Sequence, residues 1–322
     1  MTRRVGGDVS DAAIRTEKLC KTYKVGFFMR PLVGLIDLDL EVPRGCSFGF
    51  VGPNGAGKTT TIKTLMSLQR ATSGRAWILG QPVPTPESRK SVGFLPERPY
   101  FYEHLTAGEF LDFYGRLAEV PSVERGRRVT RLLERVALER FRDVPLGKFS
   151  KGMLQRAGLA QALISDPDLL VLDEPMSGLD PLGRVLVRDL ILEERRAGKT
   201  VFFSSHILAD VEAICDSVAI VVQGRLRGVG PVRQLVGRTV EHVDCVFHGV
   251  ERDASGAWVR RDHAEAHMRL PPDAVDAAVD AVRAIGGAVI AVVPALRTLE
   301  QVLLDEVERA KPVDARKLGV LA

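Results

Sequence analysis

Gly52-Pro53-Asn54-Gly55-Ala56-Gly57-Lys58-Thr59-Thr60 is the stretch whose reading decides the fold. An apolar run, Phe48-Gly49-Phe50-Val51, precedes it, and Ile62, Leu65 and Met66 follow at helical spacing. Strand, Gly-rich turn and helix in that order are the context that the phosphate-binding pattern G-x-x-x-x-G-K-[ST] requires. Gly52, Gly55 and Gly57 let the backbone curl, so that the N–H groups of the loop, from Asn54 to Thr60, converge on phosphate oxygens. The start of the following helix adds partial positive charge to that nest. Lys58 can reach the β- and γ-phosphates, and the Thr59 hydroxyl can ligate Mg²⁺. A chance Lys-Thr after a Gly-rich turn would need neither flanking element. The stretch predicts a nucleoside triphosphate site.

The rest of the composition sets bounds. At 322 residues the chain is long enough for two domains. Its apolar share of 45% and charged share of 27% are those of an ordinary globular protein. A net charge of +4, from 45 basic and 41 acidic side chains, is too mild to call for nucleic acid. No stretch approaches the roughly 18 consecutive apolar residues of a membrane span, so a membrane role would have to come through a partner. Met1-Thr2-Arg3-Arg4 leads into no apolar run, which argues against a secretory signal. Cys20, Cys46, Cys215 and Cys245 form no C-x-x-C pair and read as reduced thiols.

Along the chain, residues 1–12 read as a flexible N-terminus. From Leu35 to Val42, Ile36, Leu38, Leu40 and Val42 alternate with Asp37, Asp39 and Glu41, which predicts a half-buried strand. From about 99 to 167 the pattern turns helical. Thr106-Ala107-Gly108-Glu109 is a capping-box signature. Val129, Leu132, Leu133 and Val136 form one helical stripe, and Met153, Ala157, Ala160 and Ile164 another. The sheet resumes at Leu169-Leu170-Val171-Leu172. Asp180-Pro181 then opens a helix, with Asp as cap and Pro in the first turn. Residues 13–237 thus read as an α/β P-loop domain with an N-terminal antiparallel β part and a helical subdomain. Residues 238–310 read as a small C-terminal α+β domain with no catalytic cluster, and 311–322 as a loose tail.

Leu169 to Leu172 delivers two acids, Asp173 and Glu174, at a strand end. Asp173 is placed to hold Mg²⁺ through water and Glu174 to polarise the attacking water. Two surface acids after a core strand are common in isolation; downstream of a phosphate loop they point to hydrolysis.

With these motifs the chain resembles the ATP-binding subunits of ABC transporters over roughly residues 13–235. Phe149-Ser150-Lys151-Gly152-Met153 stands where that family carries its signature, with Lys151 and Met153 departing from the usual form. The resemblance implies that Ser150 and Gly152 grip the γ-phosphate of ATP bound on the other protomer. It implies that Ser177-Gly178-Leu179-Asp180 is the loop between the two nucleotide sites, with Asp180 both cap and interface contact. His206, after Val201-Phe202-Phe203, matches the switch histidine, whose neutral imidazole links γ-phosphate and water. Tyr23 matches the aromatic that stacks on adenine, although the segment from Lys24 to Leu32 is longer than usual. Glu97 stands where most members have Gln, at a position that senses Mg²⁺ and the γ-phosphate and faces the membrane partner.

Glu97, the form of the signature and the C-terminal Thr298-Leu299-Glu300-Gln301-Val302-Leu303-Leu304 resemble the branch serving ABC-2-type exporters of drugs, lipids, polysaccharides or ions. The resemblance implies ATP and Mg²⁺ as cofactors and a homodimer or heterodimer of ATPase subunits. Separate transmembrane permease subunits, a site on the cytoplasmic side of the cell membrane and no nucleic acid complete what it implies. An importer ATPase shares the chemistry. A soluble ABC ATPase acting on nucleic acid or ribosomes would carry a long coiled coil or a second ATPase unit, and the spacing from Lys58 to Asp173 has room only for the helical insert. His263-Ala264-Glu265-Ala266-His267 is set aside as a metal pair. On a strand its histidines would lie about 13 Å apart, and a solvated loop is the expectation.

Overall fold

The alternation from Leu35 to Val42 becomes part of a long antiparallel hairpin. In the computed structural model, which describes residues 12–26, 30–237, 240–253 and 256–310, Ala12 already lies in a strand, so the flexible start expected over 1–12 is one residue too long. Residues 1–11 and the expected tail, 311–322, lie outside the described residues, as do 27–29 of the segment after Tyr23. β1 (Ala12–Val25) pairs with β2 (Arg30–Pro43). Leu38, Leu40 and Val42 are buried while Asp37, Asp39 and Glu41 face solvent. β3 (Ser47–Val51) is buried throughout and leads to α1 (Lys58–Leu65). β4 (Ser73–Ile78) takes the other edge of β1, and β5 (Gln81–Val83) completes a four-stranded antiparallel sheet of order β2-β1-β4-β5.

β6 (Val92–Leu95) begins a second sheet, and the helical insert follows as α2 (Ala107–Leu117), α3 (Ser122–Arg135) and α4 (Lys151–Leu163). Both bonds of the predicted capping box form at the start of α2. Glu109 N donates to Thr106 Oγ1 at 3.2 Å, and Thr106 N donates to Glu109 Oε2 at 2.9 Å. Val129, Leu132, Leu133 and Val136 are buried, as the stripe on α3 requires. α4 is wrapped more fully than its stripe suggested: Gln155, Gly158, Leu159, Ala162 and Leu163 are buried too.

The chain then returns to the sheet through β7 (Leu169–Asp173), α5 (Pro181–Arg196), β8 (Thr200–Ser205), α6 (Leu208–Ile214), β9 (Ser217–Val222) and β10 (Arg225–Pro231), ending in α7 (Val232–Val236). α6, a seven-residue helix, is absent from the sequence reading because it is too short to show a period. The second sheet runs β10-β9-β3-β8-β7-β6, parallel except for the β9–β10 hairpin. β3 therefore sits among parallel neighbours whose C-terminal ends open one crevice, the usual place for a ligand in such sheets.

The structure clusters into two compact units, one of residues up to Val232 with those from Leu303 on, the other Arg233–Val302. The second carries β11 (Val240–Arg252), β12 (Trp258–Leu270), α8 (Val275–Ala284), β13 (Ala288–Leu296) and the start of α9 (Leu299–Arg309). Its antiparallel sheet has the order β12-β11-β13, with Val243, Cys245, Phe247 and Val250 packed on Val275, Ala278 and Val282. His263 to His267, expected as a solvated loop, is the middle of β12, one strand that runs from Trp258 to Leu270. The inward side chains of that stretch are Ala264 and Ala266, too small to give a hydrophobic signal. A register shift between His248 and Val250, with His263 at φ +68°, absorbs the mismatch with β11.

Candidate functional site

The loop leaves β3 and wraps onto α1 because two glycines allow it. A Cβ on Gly52 would stand 2.1 Å from the Val221 carbonyl oxygen, and Gly57 caps α1 at φ +107°. Lys58, in the first turn, is 7% exposed. Its Nζ donates to Gly52 O at 2.7 Å and Pro53 O at 3.4 Å, and lies 3.8 Å from Glu174 Oε1. Burial pulls its pKa down, against the upward pull of the Glu174, Asp173 and Glu97 carboxylates. The ammonium is thus held at the loop by two carbonyl oxygens and a carboxylate.

β7 brings Asp173 beneath this loop. Its carboxylate, 2% exposed, accepts from Ser204 Oγ at 2.6 Å and Thr59 Oγ1 at 3.4 Å on the same oxygen, Oδ1. Burial pushes its pKa above the usual carboxylate range; the two hydroxyls pull it down, and Glu97 and Glu174 push it up. The folded pKa lies above the unfolded one. Asp173 therefore favours the fold most at acid pH, and that contribution is lost as pH rises through the folded pKa. Asp173→Asn is expected to raise the melting temperature of the nucleotide-free protein at neutral pH and to remove the part of its pH dependence that begins above the ordinary carboxylate range. Thermal unfolding from mildly acid to neutral pH checks this.

Glu174 follows with φ +52°, its N–H donating to Ser204 Oγ at 3.0 Å. Its Oε2 lies 2.7 Å from His206 Nδ1. A carboxylate acceptor fixes the Nδ1–H tautomer and leaves Nε2 of His206 as the free ring nitrogen. Gln155 on α4 donates to Pro175 O at 3.1 Å and Glu174 O at 3.4 Å, pinning the peptide after the acids. Ser204 and Gln155 are absent from the sequence reading. Their signal is polarity where none is expected: a fully buried Ser ending an apolar strand, and a buried Gln on an otherwise apolar helix face.

Lys58, Thr59, Glu174 and His206 line a cleft of about 610 Å³. Of the predicted site residues, Tyr23, Asn54, Gly55, Gly57, Lys58, Thr59, Thr60, Glu97, Glu174 and His206 border it, joined by Leu32, Val33, Gly34 and Ser177. Gly52 and Asp173 support it from below, through Lys58 and Thr59. Ser150, Gly152 and Asp180 do not border it. Ser150 accepts from Met153 N at 3.2 Å to cap α4, and Asp180 accepts from Gly183 N at 2.8 Å to cap α5. The oxygen donors Thr59 Oγ1 and Asp173 Oδ1 fit a hard cation such as Mg²⁺, which takes one or two carboxylates and completes its shell with water and phosphate.

A glycine-rich loop on a helix start, a tethered lysine and a strand-end acid pair define a P-loop nucleotide site. A profile of the ABC transporter family matches residues 35–177. An uncharacterized ABC transporter ATP-binding protein of Synechocystis sp. is 43% identical over 293 residues, covering 89% of this chain and 82% of the relative. Nod factor export ATP-binding protein I of Cupriavidus metallidurans is 38% identical over 202 residues, 62% of this chain and 67% of the relative. A solved ATP-binding subunit of an ABC transporter superposes with a TM-score of 0.64 at 32% identity, covering 69% of this chain and 91% of that one. The chain belongs to the ATP-binding subunits of ABC transporters, a family of ATP-hydrolysing domains.

Proposed function

We propose that this chain is the ATP-hydrolysing subunit of an ABC-2-type exporter, driving efflux of a drug, lipid, polysaccharide or ion through separate permease subunits. A second copy would close over it to clamp two ATP molecules. Each site would take Lys58, Thr59, Asp173, Glu174 and His206 from one copy and Ser150 and Gly152 from the other. The observation that carries the reading is the place of Ser150 and Gly152. They start a capped 13-residue helix, yet border none of the cleft their own chain builds. A helix start of this kind suits an anion supplied from outside.

Within the cleft, Lys58 offsets phosphate charge. Glu174 takes the proton of the attacking water, and His206, which donates from Nδ1 to Glu174, leaves Nε2 to accept a hydrogen bond from that water. Thr59 and Asp173 would hold Mg²⁺, which supplies neutralisation of charge on the β- and γ-phosphate oxygens. Glu97 borders the cleft on the loop after β6 and is exposed, so it can pass nucleotide state to a permease. Among the described residues no helix is long and apolar enough to cross a membrane. Attachment to the cytoplasmic face would therefore run through the permease. Export is favoured by Glu97, by the Ser-Lys-Gly-Met signature and by the named function of the Cupriavidus relative. The C-terminal unit, expected over 238–310, would regulate or stabilise the pair.

Ser150→Arg tests the arrangement. Loss of the cap costs about 0.5–2 kcal/mol, too little to unfold a domain. MgATP affinity of the isolated chain should stay within about twofold of wild type while turnover falls to background, since the arginine obstructs only the second copy's site. Wild-type turnover, or loss of affinity in step with turnover, would count against the clamp.

A further inference from the structure

Gln69 belongs to no motif and does not border the cleft, yet each polar atom of its side chain is used. Just past the end of α1, its Nε2 donates to Thr60 O at 2.8 Å and Thr64 Oγ1 at 2.9 Å. Its Oε1 accepts from the Tyr23 hydroxyl at 2.9 Å. The same hydroxyl lies 3.1 Å from Thr60 Oγ1, so Tyr23, Thr60 and Gln69 form one closed set of bonds.

Tyr23 needs such a tether. It lies opposite Leu32, close to the Gly26 turn that closes the β1–β2 hairpin and past Cys20, the last residue of β1 paired with β4, so that strand pairing restrains it from one side only. The segment after α1 holds this end in three places. Lys21 Nζ donates to Arg70 O at 2.7 Å, Thr22 N to Thr72 Oγ1 at 2.9 Å, and Tyr23 to Gln69. The Lys21 ammonium also sits 5.2 Å from the Tyr23 ring centroid. Gly34 leaves room for the ring, since a Cβ there would come within 2.9 Å of Tyr23 Cε2. The ring is thereby fixed on the wall of the cleft formed with Leu32, Val33 and Gly34, beside the loop residues Lys58 and Thr59.

We propose that Gln69 is a positioning residue for the nucleotide, holding the Tyr23 ring at the base end of the cleft and tying it through Thr60 to the helix start that binds phosphate. This rests on the reading of the cleft as an ATP site. Phosphate is gripped by backbone N–H groups and Lys58, which do not depend on Gln69. The base meets the ring, whose stacking depends on its pose. Losing the tether should therefore weaken ATP and spare a ligand that is phosphate alone.

The experiment compares MgATP and magnesium tripolyphosphate affinity, together with steady-state turnover, for the full chain and for Gln69→Leu, Tyr23→Phe and the double variant. Each single substitution should weaken ATP binding and raise KM about threefold to tenfold, the effect of one lost hydrogen bond. kcat and tripolyphosphate affinity should stay at wild-type values, and the double variant should be no worse than the weaker single. Tyr23→Phe keeps the inference testable if Gln69→Leu folds poorly. Unchanged ATP affinity in the variants of a chain that binds MgATP would overturn the inference. Equal loss of tripolyphosphate affinity would overturn it too, leaving Gln69 as a brace for α1. A wild type that binds no MgATP would overturn the ATP reading itself, and this inference with it.

Discussion

Glu174→Gln is expected to slow ATP hydrolysis by about 10²- to 10⁴-fold, the usual contribution of a general base, with MgATP affinity within about twofold of wild type. The amide matches the carboxylate in size and can still accept from His206 Nδ1, now 2.7 Å away, so the imidazole keeps its tautomer. It cannot take a proton from water. Affinity is spared because Glu174 contributes negative charge 3.8 Å from Lys58, and its removal frees that ammonium for phosphate. Phosphate release and equilibrium binding of MgATP on the same preparation check both halves. A variant that hydrolyses at the wild-type rate would remove Glu174 from the chemistry.

Lys58→Met should lower MgATP affinity by about 10- to 100-fold, since a hydrogen bond to a charged group contributes more than a neutral one. The methionine fills much of the volume of the lysine stem, so the substitution removes charge and donors with little loss of packing. Nζ is engaged with Gly52 O, Pro53 O and Glu174, and burial opposes its charge. Phosphate oxygens offer it better acceptors than carbonyls do. Turnover at subsaturating ATP should fall with affinity or further, because Lys58 also faces charge that develops on the transferred phosphoryl group. Calorimetric titration with MgATP reads the first effect and initial rates the second.

What the sequence made legible is what acts through short stretches of chain. The loop from Gly52 to Thr60, the acids after β7, and the caps Thr106 and Asp180 do their work within a few residues of themselves, so spacing alone identifies them. Ser204 and Gln155 act across 31 and 19 residues, and Gln69 reaches back 46 to Tyr23. No local pattern marks such contacts, although a buried polar residue on an apolar element is a usable sign. The middle of β12 escaped for a related reason: it carries alanines inward and polar residues outward, and it belongs to a strand because β11 pairs with that strand on either side. Ser150, Gly152 and Asp180 were legible as residues, but they do not border the cleft that holds the rest of the predicted site.

Because those three residues lie off the cleft, a complete site requires two chains to pair. The most direct test is the mass and nucleotide content of Glu174→Gln incubated with MgATP, measured by native mass spectrometry. The expected species is two chains carrying two unhydrolysed ATP molecules. A single chain at saturating MgATP, or ADP in place of ATP, would contradict the pairing.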